Sequence, residues 1–196
     1  MHSNYFPLPE DYRRIWANRK QFELCIVGKD PYPTNPIGIP FCKPSWPEMD
    51  YRTSGTYVLR SLGIEPGSEH FADPREAFLQ LALEGVGFLN STYWFIGRPF
   101  AKRYHQQMVA EDTLVNLPFL AKSRRILLCG EAAKVPWLLQ GTPIIAEYQD
   151  ELGSIWERCE SIPHPDIRNR TNPRRRLAWQ AVWGDGVLAA HRCPTA

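Results

Sequence analysis

Short apolar runs of strand length alternate with helix signals along this chain, and that alternation restricts the fold more than any other feature. Leu24 to Val27, Val86 to Leu89, Arg125 to Cys129 and Pro143 to Glu147 each fit a buried strand. A fifth run, Cys159 to Ile162, fits either a strand or the start of a loop. Asp73-Pro74-Arg75-Glu76 joins a helix N-cap to a proline at the first helical position and a glutamate at the capping-box position. A helix is therefore predicted through Leu83, stopping before Gly85. Apolar spacing predicts a second helix over Tyr104 to Ala121, broken or kinked at Pro118. A third spans Glu131 to Leu139, interrupted near Pro136, and a last one opens at Asn172-Pro173 and runs to Trp183, capped by Gly184. Thr34 to Pro47 and Gly97 to Phe100 read as loops. Strand–helix–strand alternation points to a parallel sheet with helices on both faces, an α/β fold.

At 196 residues the chain suffices for one domain with a full core, its motifs lying between residues 22 and 184 with short extensions on either side. A net charge of +2 does not by itself announce a polyanionic partner, but its distribution is uneven. Arg168, Arg170, Arg174, Arg175 and Arg176 crowd one stretch, which is either a solvated basic loop or a phosphate-binding edge. The five cysteines are widely spaced without a C-x-x-C pair, which argues against a zinc ribbon; no metal or other cofactor is expected. Cys25 and Cys129 lie in apolar runs and read as core thiols. Without a signal-peptide region or a membrane-length apolar stretch, the expectation is a cytoplasmic protein with reduced thiols and no membrane partner.

Three predicted strand ends carry polar side chains. Gly28-Lys29-Asp30-Pro31-Tyr32-Pro33 follows the first, with Asp30 held on a stiff loop between glycine and proline. Asn90 ends the second, in Gly87-Phe88-Leu89-Asn90-Ser91-Thr92, and His164 follows the run at 159–162, in Pro163-His164-Pro165-Asp166-Ile167-Arg168-Asn169. In an open α/β sheet, ligands bind at the carboxyl ends of the strands. Taken singly, each residue has a plain structural alternative: a turn cap for Asp30, a turn former for Asn90, a surface loop residue for His164.

Taken together and in order, these segments resemble the uracil-DNA glycosylase superfamily. Gly28 to Tyr32 followed by Phe41-Cys42 is similar to its water-activating motif and base-stacking phenylalanine. Glu84 to Thr92 resembles the segment that ends in its base-reading asparagine, Ile126 to Ala133 its next strand–glycine–helix segment, and His164 to Asn169 its histidine motif. The likeness covers roughly residues 22–178. Lys29 stands where the best-known members carry glutamine, Pro33 where they carry histidine, Asp166 where they carry serine and Arg168 where they carry an intercalating leucine. The Arg168-Asn169 pair is instead like the single-strand-selective branch, which also accepts oxidised 5-substituted uracils.

The resemblance implies a three-layer sandwich on a short, mainly parallel sheet of about four strands, and a monofunctional DNA glycosylase working as a monomer. Hydrolysis of an N-glycosidic bond makes the sugar cationic and the departing base anionic. Asp30 is expected to stabilise the cation and orient water, and His164 to donate to a base carbonyl, for which a neutral imidazole suffices. Gly28, Lys29, Tyr32, Phe41 and Asn90 are expected around the flipped base, with Phe41 as stacking face and Tyr32 crowding C5. Arg168, Asn169, Arg170 and Arg174 are expected on DNA. A carboxamide reads uracil in one orientation and cytosine in the other, so uracil is the leading substrate and a 5-substituted uracil or modified cytosine, as in phage DNA, the alternative. A binder of uracil or abasic DNA without turnover is a further alternative.

Overall fold

A computed structural model describes residues 4–97 and 103–193. Four strands, β1 (Phe22–Gly28), β2 (Val86–Asn90), β3 (Ser123–Cys129) and β4 (Cys159–Ile162), form one all-parallel sheet in the order β2-β1-β3-β4. Eight α-helices lie among the described residues: α1 (Glu10–Asn18), α2 (Ser54–Ser61), α3 (Pro74–Leu83), α4 (Arg103–Ala121), α5 (Val135–Leu138), α6 (Gln149–Trp156), α7 (Ile167–Thr171) and α8 (Arg176–Trp183). The chain moves one way from β1 to β2 and then back across β1 to β3. Right-handed crossovers then set α2 and α3 on one face and α4 and α6 on the other, giving the expected three-layer α/β sandwich. The reversal also makes a switch point between β1 and β3, where the strand exits diverge and leave a crevice.

Burial explains the strand assignments. All of β2 and nearly all of β1 are buried, as befits strands of a parallel sheet covered on both faces. β2 nevertheless has a free edge, and Tyr12 of α1 closes it. Its hydroxyl accepts from the Phe88 amide at 2.8 Å and donates to the Phe88 carbonyl at 3.3 Å, so both outward backbone groups are satisfied. One turn on, Trp16 stacks on Phe22 with ring centroids 3.8 Å apart and meets Phe119 of α4 edge-on.

Most predicted elements stand. Asp73 caps α3, its carboxylate accepting from the Glu76 amide at 2.9 Å, and α8 ends at Trp183 with Gly184 as C-cap. Pro118 does not end α4, which continues to Ala121; Leu117 and Leu120 are buried and Phe119 packs on Trp16, so tertiary contacts hold the last turn. The run at 131–139 is a 3-10 turn, Gly130–Lys134, leading into α5.

Two predictions are corrected and one alternative is decided. Pro143 to Glu147 is not a strand but part of a 3-10 helix, Pro143–Tyr148. Pro143 cannot donate to a ladder, and of this helix only Ile145 is buried, so one anchor rather than an alternating face meets the core. Cys159 to Ile162, left open between strand and loop, is β4. The last helix starts at Arg176, because residues 172–175 form a turn closed on the Asn172 carbonyl by the amides of Arg175 and Arg176. Of the loop predicted at 97–100, all but Gly97 lies outside the described residues. No helix among the described residues is long and apolar enough to cross a membrane.

A Cβ at Gly87 in β2 would fall inside the Trp16 indole. Gly87→Ala is expected to cost about 1–3 kcal/mol by overpacking, read as a lowered urea midpoint at unchanged m-value.

Candidate active site

The four strand exits converge on one cavity of about 1060 Å³. Gly28, Lys29, Asp30, Tyr32, Phe41, Asn90, His164, Arg168, Asn169 and Arg174 all line it, although they come from distant parts of the chain.

Parallel register sets Gly28 directly beside Asn90. The Gly28 carbonyl accepts from the Ser91 amide at 2.8 Å and the Lys29 carbonyl from the Thr92 amide at 3.1 Å, so the pairing runs one step beyond the sheet. Because Gly28 lacks a side chain, the Asn90 carboxamide and the Phe41 ring share the space beside it. A Cβ there would lie 2.8 Å from Asn90 Oδ1 and 3.1 Å from Phe41 Cζ. Asn90 is 2% exposed. Its main-chain carbonyl accepts from Asn116 Nδ2 at 2.8 Å, while Asp112 of the same helix accepts from Thr92 Oγ1 and the Tyr93 amide. Burial pushes the Asp112 carboxyl above its ordinary range, against these two donors. α4 therefore holds the β2 exit by its backbone. Among the described residues no side-chain partner fixes which end of the Asn90 amide meets a ligand.

Phe41 has a left-handed backbone, φ 63°, which is costly for a bulky residue. The surroundings over-determine it. Tyr32 Oη donates to the Phe41 carbonyl at 3.4 Å and accepts from the Gly55 amide at 3.1 Å. Gly55, at the start of α2, has no Cβ to collide with that carbonyl. Tyr32 is thus clamped between its loop and α2, with the buried Lys43 ammonium 4.6 Å from its ring centre.

Asp30 Oδ2 accepts from the Ile96 and Gly97 amides, each at 3.0 Å, and Lys29 Nζ lies 3.5 Å from the same oxygen. Among the described residues Oδ1 receives no hydrogen bond. One oxygen thus anchors the carboxylate.

Gly130, at the β3 exit with φ 57°, makes room for His164, since a Cβ there would lie 2.9 Å from His164 Cβ. Trp183 Nε1 anchors the loop by donating to the Pro163 carbonyl at 2.8 Å. His164 Nδ1 is buried 3.6 Å from Asp166 Oδ2, an electrostatic contact rather than a hydrogen bond. Nε2 is the ring nitrogen left for the cavity. Asp166 caps α7 by accepting from the Asn169 amide at 2.8 Å and also meets Arg168 at 3.1 Å. Burial alone would raise its carboxyl; the His164 ring, the Asn169 amide and Arg168 outweigh it and hold the group well below the usual carboxylate range.

Two of the arginine-rich motif's residues are held by contacts within the protein. Asn169 is 8% exposed, donating from Nδ2 to the His164 carbonyl at 2.9 Å and accepting from Arg175 at 3.0 Å. It braces the histidine loop instead of projecting outward. Arg170 does not line the cavity; its guanidinium lies over Tyr57 and Trp179. Arg168, Arg174 and Arg175 remain at the cavity wall.

Sequence reasoning missed Phe95, Ser54 and Glu131 as lining residues, and Asp112 as a positioning group. Glu131 was open to the logic that singled out Asp30, since it too follows a strand and a glycine. Among the described residues no three His, Cys, Asp or Glu side chains are grouped to hold a metal ion. A scan against protein-family models and a search of the curated proteins returned no match to this chain.

With its folded-state pKa depressed, Asp166 stabilises the protein above its unfolded value and loses that contribution as pH falls through the folded one. Asp166→Asn is expected to lower the urea midpoint at pH 7, and the gap to wild type to close as pH drops below about 4. A constant gap down to pH 2 would contradict this role.

Proposed function

We propose that this protein is a DNA glycosylase that flips a pyrimidine out of the strand and hydrolyses its N-glycosidic bond, with uracil as the leading substrate. One observation carries the reading: an anchored carboxylate, Asp30, and a histidine, His164, line the same cavity as an aromatic ring and a buried carboxamide, Phe41 and Asn90. These are the parts such a reaction needs. Phe41 offers a stacking face, and Asn90 offers one donor and one acceptor to a base edge. Asp30 orients water and stabilises the oxocarbenium-like sugar through its unanchored oxygen. His164 donates from Nε2 to the departing base, offsetting its negative charge. Arg168, Arg174 and Arg175 supply phosphate contacts at the rim, so affinity falls with added salt. The protein acts as a monomer in the cytoplasm, its thiols reduced.

A second reading, release of a 5-substituted uracil or a modified cytosine, is favoured by two observations. The Asn90 amide has no side-chain partner among the described residues to choose uracil over cytosine. The cavity also reaches the upper end of the roughly 300–1,000 Å³ range of small-molecule pockets, leaving room for a substituent.

Asp30→Asn is expected to bind DNA as wild type does but to release base about 10²- to 10⁴-fold more slowly, measured in single turnover with enzyme in excess. An undiminished rate would remove Asp30 from the chemistry.

A further inference from the structure

Lys29 marks a departure in the first motif, and it is not a solvated loop residue. Its side chain is only 16% exposed, it lines the cavity, and its Nζ lies 3.5 Å from Asp30 Oδ2. The backbone on either side is held to the β2 exit through the Gly28 and Lys29 carbonyls. An amine and a carboxylate are thereby fixed side by side in a pocket where hydrolysis would leave an abasic sugar.

We propose that Lys29 gives this site a second activity, strand scission at the abasic product through an imine between Nζ and C1′ of the sugar. The proposal rests on the glycosylase reading and replaces its monofunctional expectation, because hydrolysis of the base alone leaves the strand intact. The abasic sugar is in equilibrium with its open-chain aldehyde. Asp30 takes a proton from the Lys29 ammonium, the amine adds its electron pair to C1′, and Asp30 returns the proton to the carbinolamine hydroxyl, which leaves as water to give the protonated imine and an ionised Asp30. Asp30 then takes a proton from C2′. The released electron pair forms the C2′–C3′ double bond, the C3′–O bond breaks, and the 3′ phosphate leaves with the bonding pair as the 5′-phosphate end of the downstream strand. Water hydrolyses the imine, returning the free amine and an unsaturated aldehyde on the upstream strand. No oxidant or reductant is consumed.

The geometry suits both halves of this sequence. C1′ and C2′ are neighbouring atoms, so a nucleophile and a proton acceptor that are themselves neighbours can reach one each. The unanchored Oδ1 of Asp30 is the oxygen available for the proton, while Oδ2 stays with the Ile96 and Gly97 amides. Arg174 and Arg175, which line the same cavity, can stabilise the departing phosphate. The two other acidic groups lining the cavity are engaged elsewhere, Glu131 through Oε1 with Lys134 at 2.8 Å and Asp166 with the Asn169 amide and Arg168.

The test uses the full chain and DNA carrying a preformed abasic site, with sodium borohydride to reduce the imine. The expected result is a covalent protein–DNA adduct that maps to Lys29 after digestion and mass spectrometry. Without borohydride, the strand is expected to be nicked at the abasic site. Lys29→Arg keeps the positive charge but cannot form the adduct, and is expected to lose both signals while its thermal midpoint shows that it folds. No adduct, an adduct on another lysine or on the N-terminus, or a nick that persists in Lys29→Arg would overturn the proposal. Because the base is already gone from this substrate, failure here leaves the glycosylase reading untouched. That reading is judged separately by base release from intact DNA.

Discussion

The site depends on what is missing at two strand exits. Gly28 and Gly130 lie at the ends of the adjacent strands β1 and β3, and each leaves a gap that a neighbour fills: Asn90 and Phe41 beside the first, His164 beside the second. Without those gaps the carboxamide, the ring and the imidazole would be pushed out of the crevice that the topology opens. The parallel register does the rest, since it aligns Gly28 with Asn90 and carries the pairing into the loops that follow.

Charge around the cavity is arranged in layers. Asp30 is held by backbone amides, which fix its position without neutralising the oxygen that faces away from them. Asp166 lies behind His164 and is itself held by Asn169 and Arg168, so the imidazole presents one nitrogen to a carboxylate and the other to the cavity. Cationic side chains occupy the outer wall. Under the proposed function, Asp30 would face the sugar as it becomes cationic and the arginines would face phosphates, a distribution that suits glycosidic cleavage within a polyanion.

Much of this was legible before any coordinates. Asp30, Asn90 and His164 were identifiable because each follows or ends a run of strand length, and strand ends gather at one edge of a parallel sheet. What was not legible depended on partners distant in sequence. Cys159 to Ile162 is ambiguous as a run because only Ile162 is buried, and its strand character comes from pairing with β3. α2 is buried at seven of its eight positions, polar Ser54, Thr56 and Ser61 among them, so residue type does not mark it as a core helix. Pro143 to Glu147 is apolar enough for a strand but has no ladder to join. Asn169 and Arg170 carry the same surface signature as Arg168, and only the fold turns one inward and lays the other over two aromatic rings. Lys29 is expected near the base from its motif alone, and its half-buried position 3.5 Å from Asp30 Oδ2 is visible only in the fold.

The central claim is that the cavity breaks the bond between a flipped pyrimidine and its sugar. Its most direct test is chromatographic detection of free base after the protein is incubated with an excess of oligonucleotides carrying uracil, 5-substituted uracils or modified cytosines. The account predicts that at least one of these bases is released in molar excess over protein, with an abasic site at the same position. If every base stays attached while the DNA binds, the site holds nucleic acid without chemistry and the account is wrong.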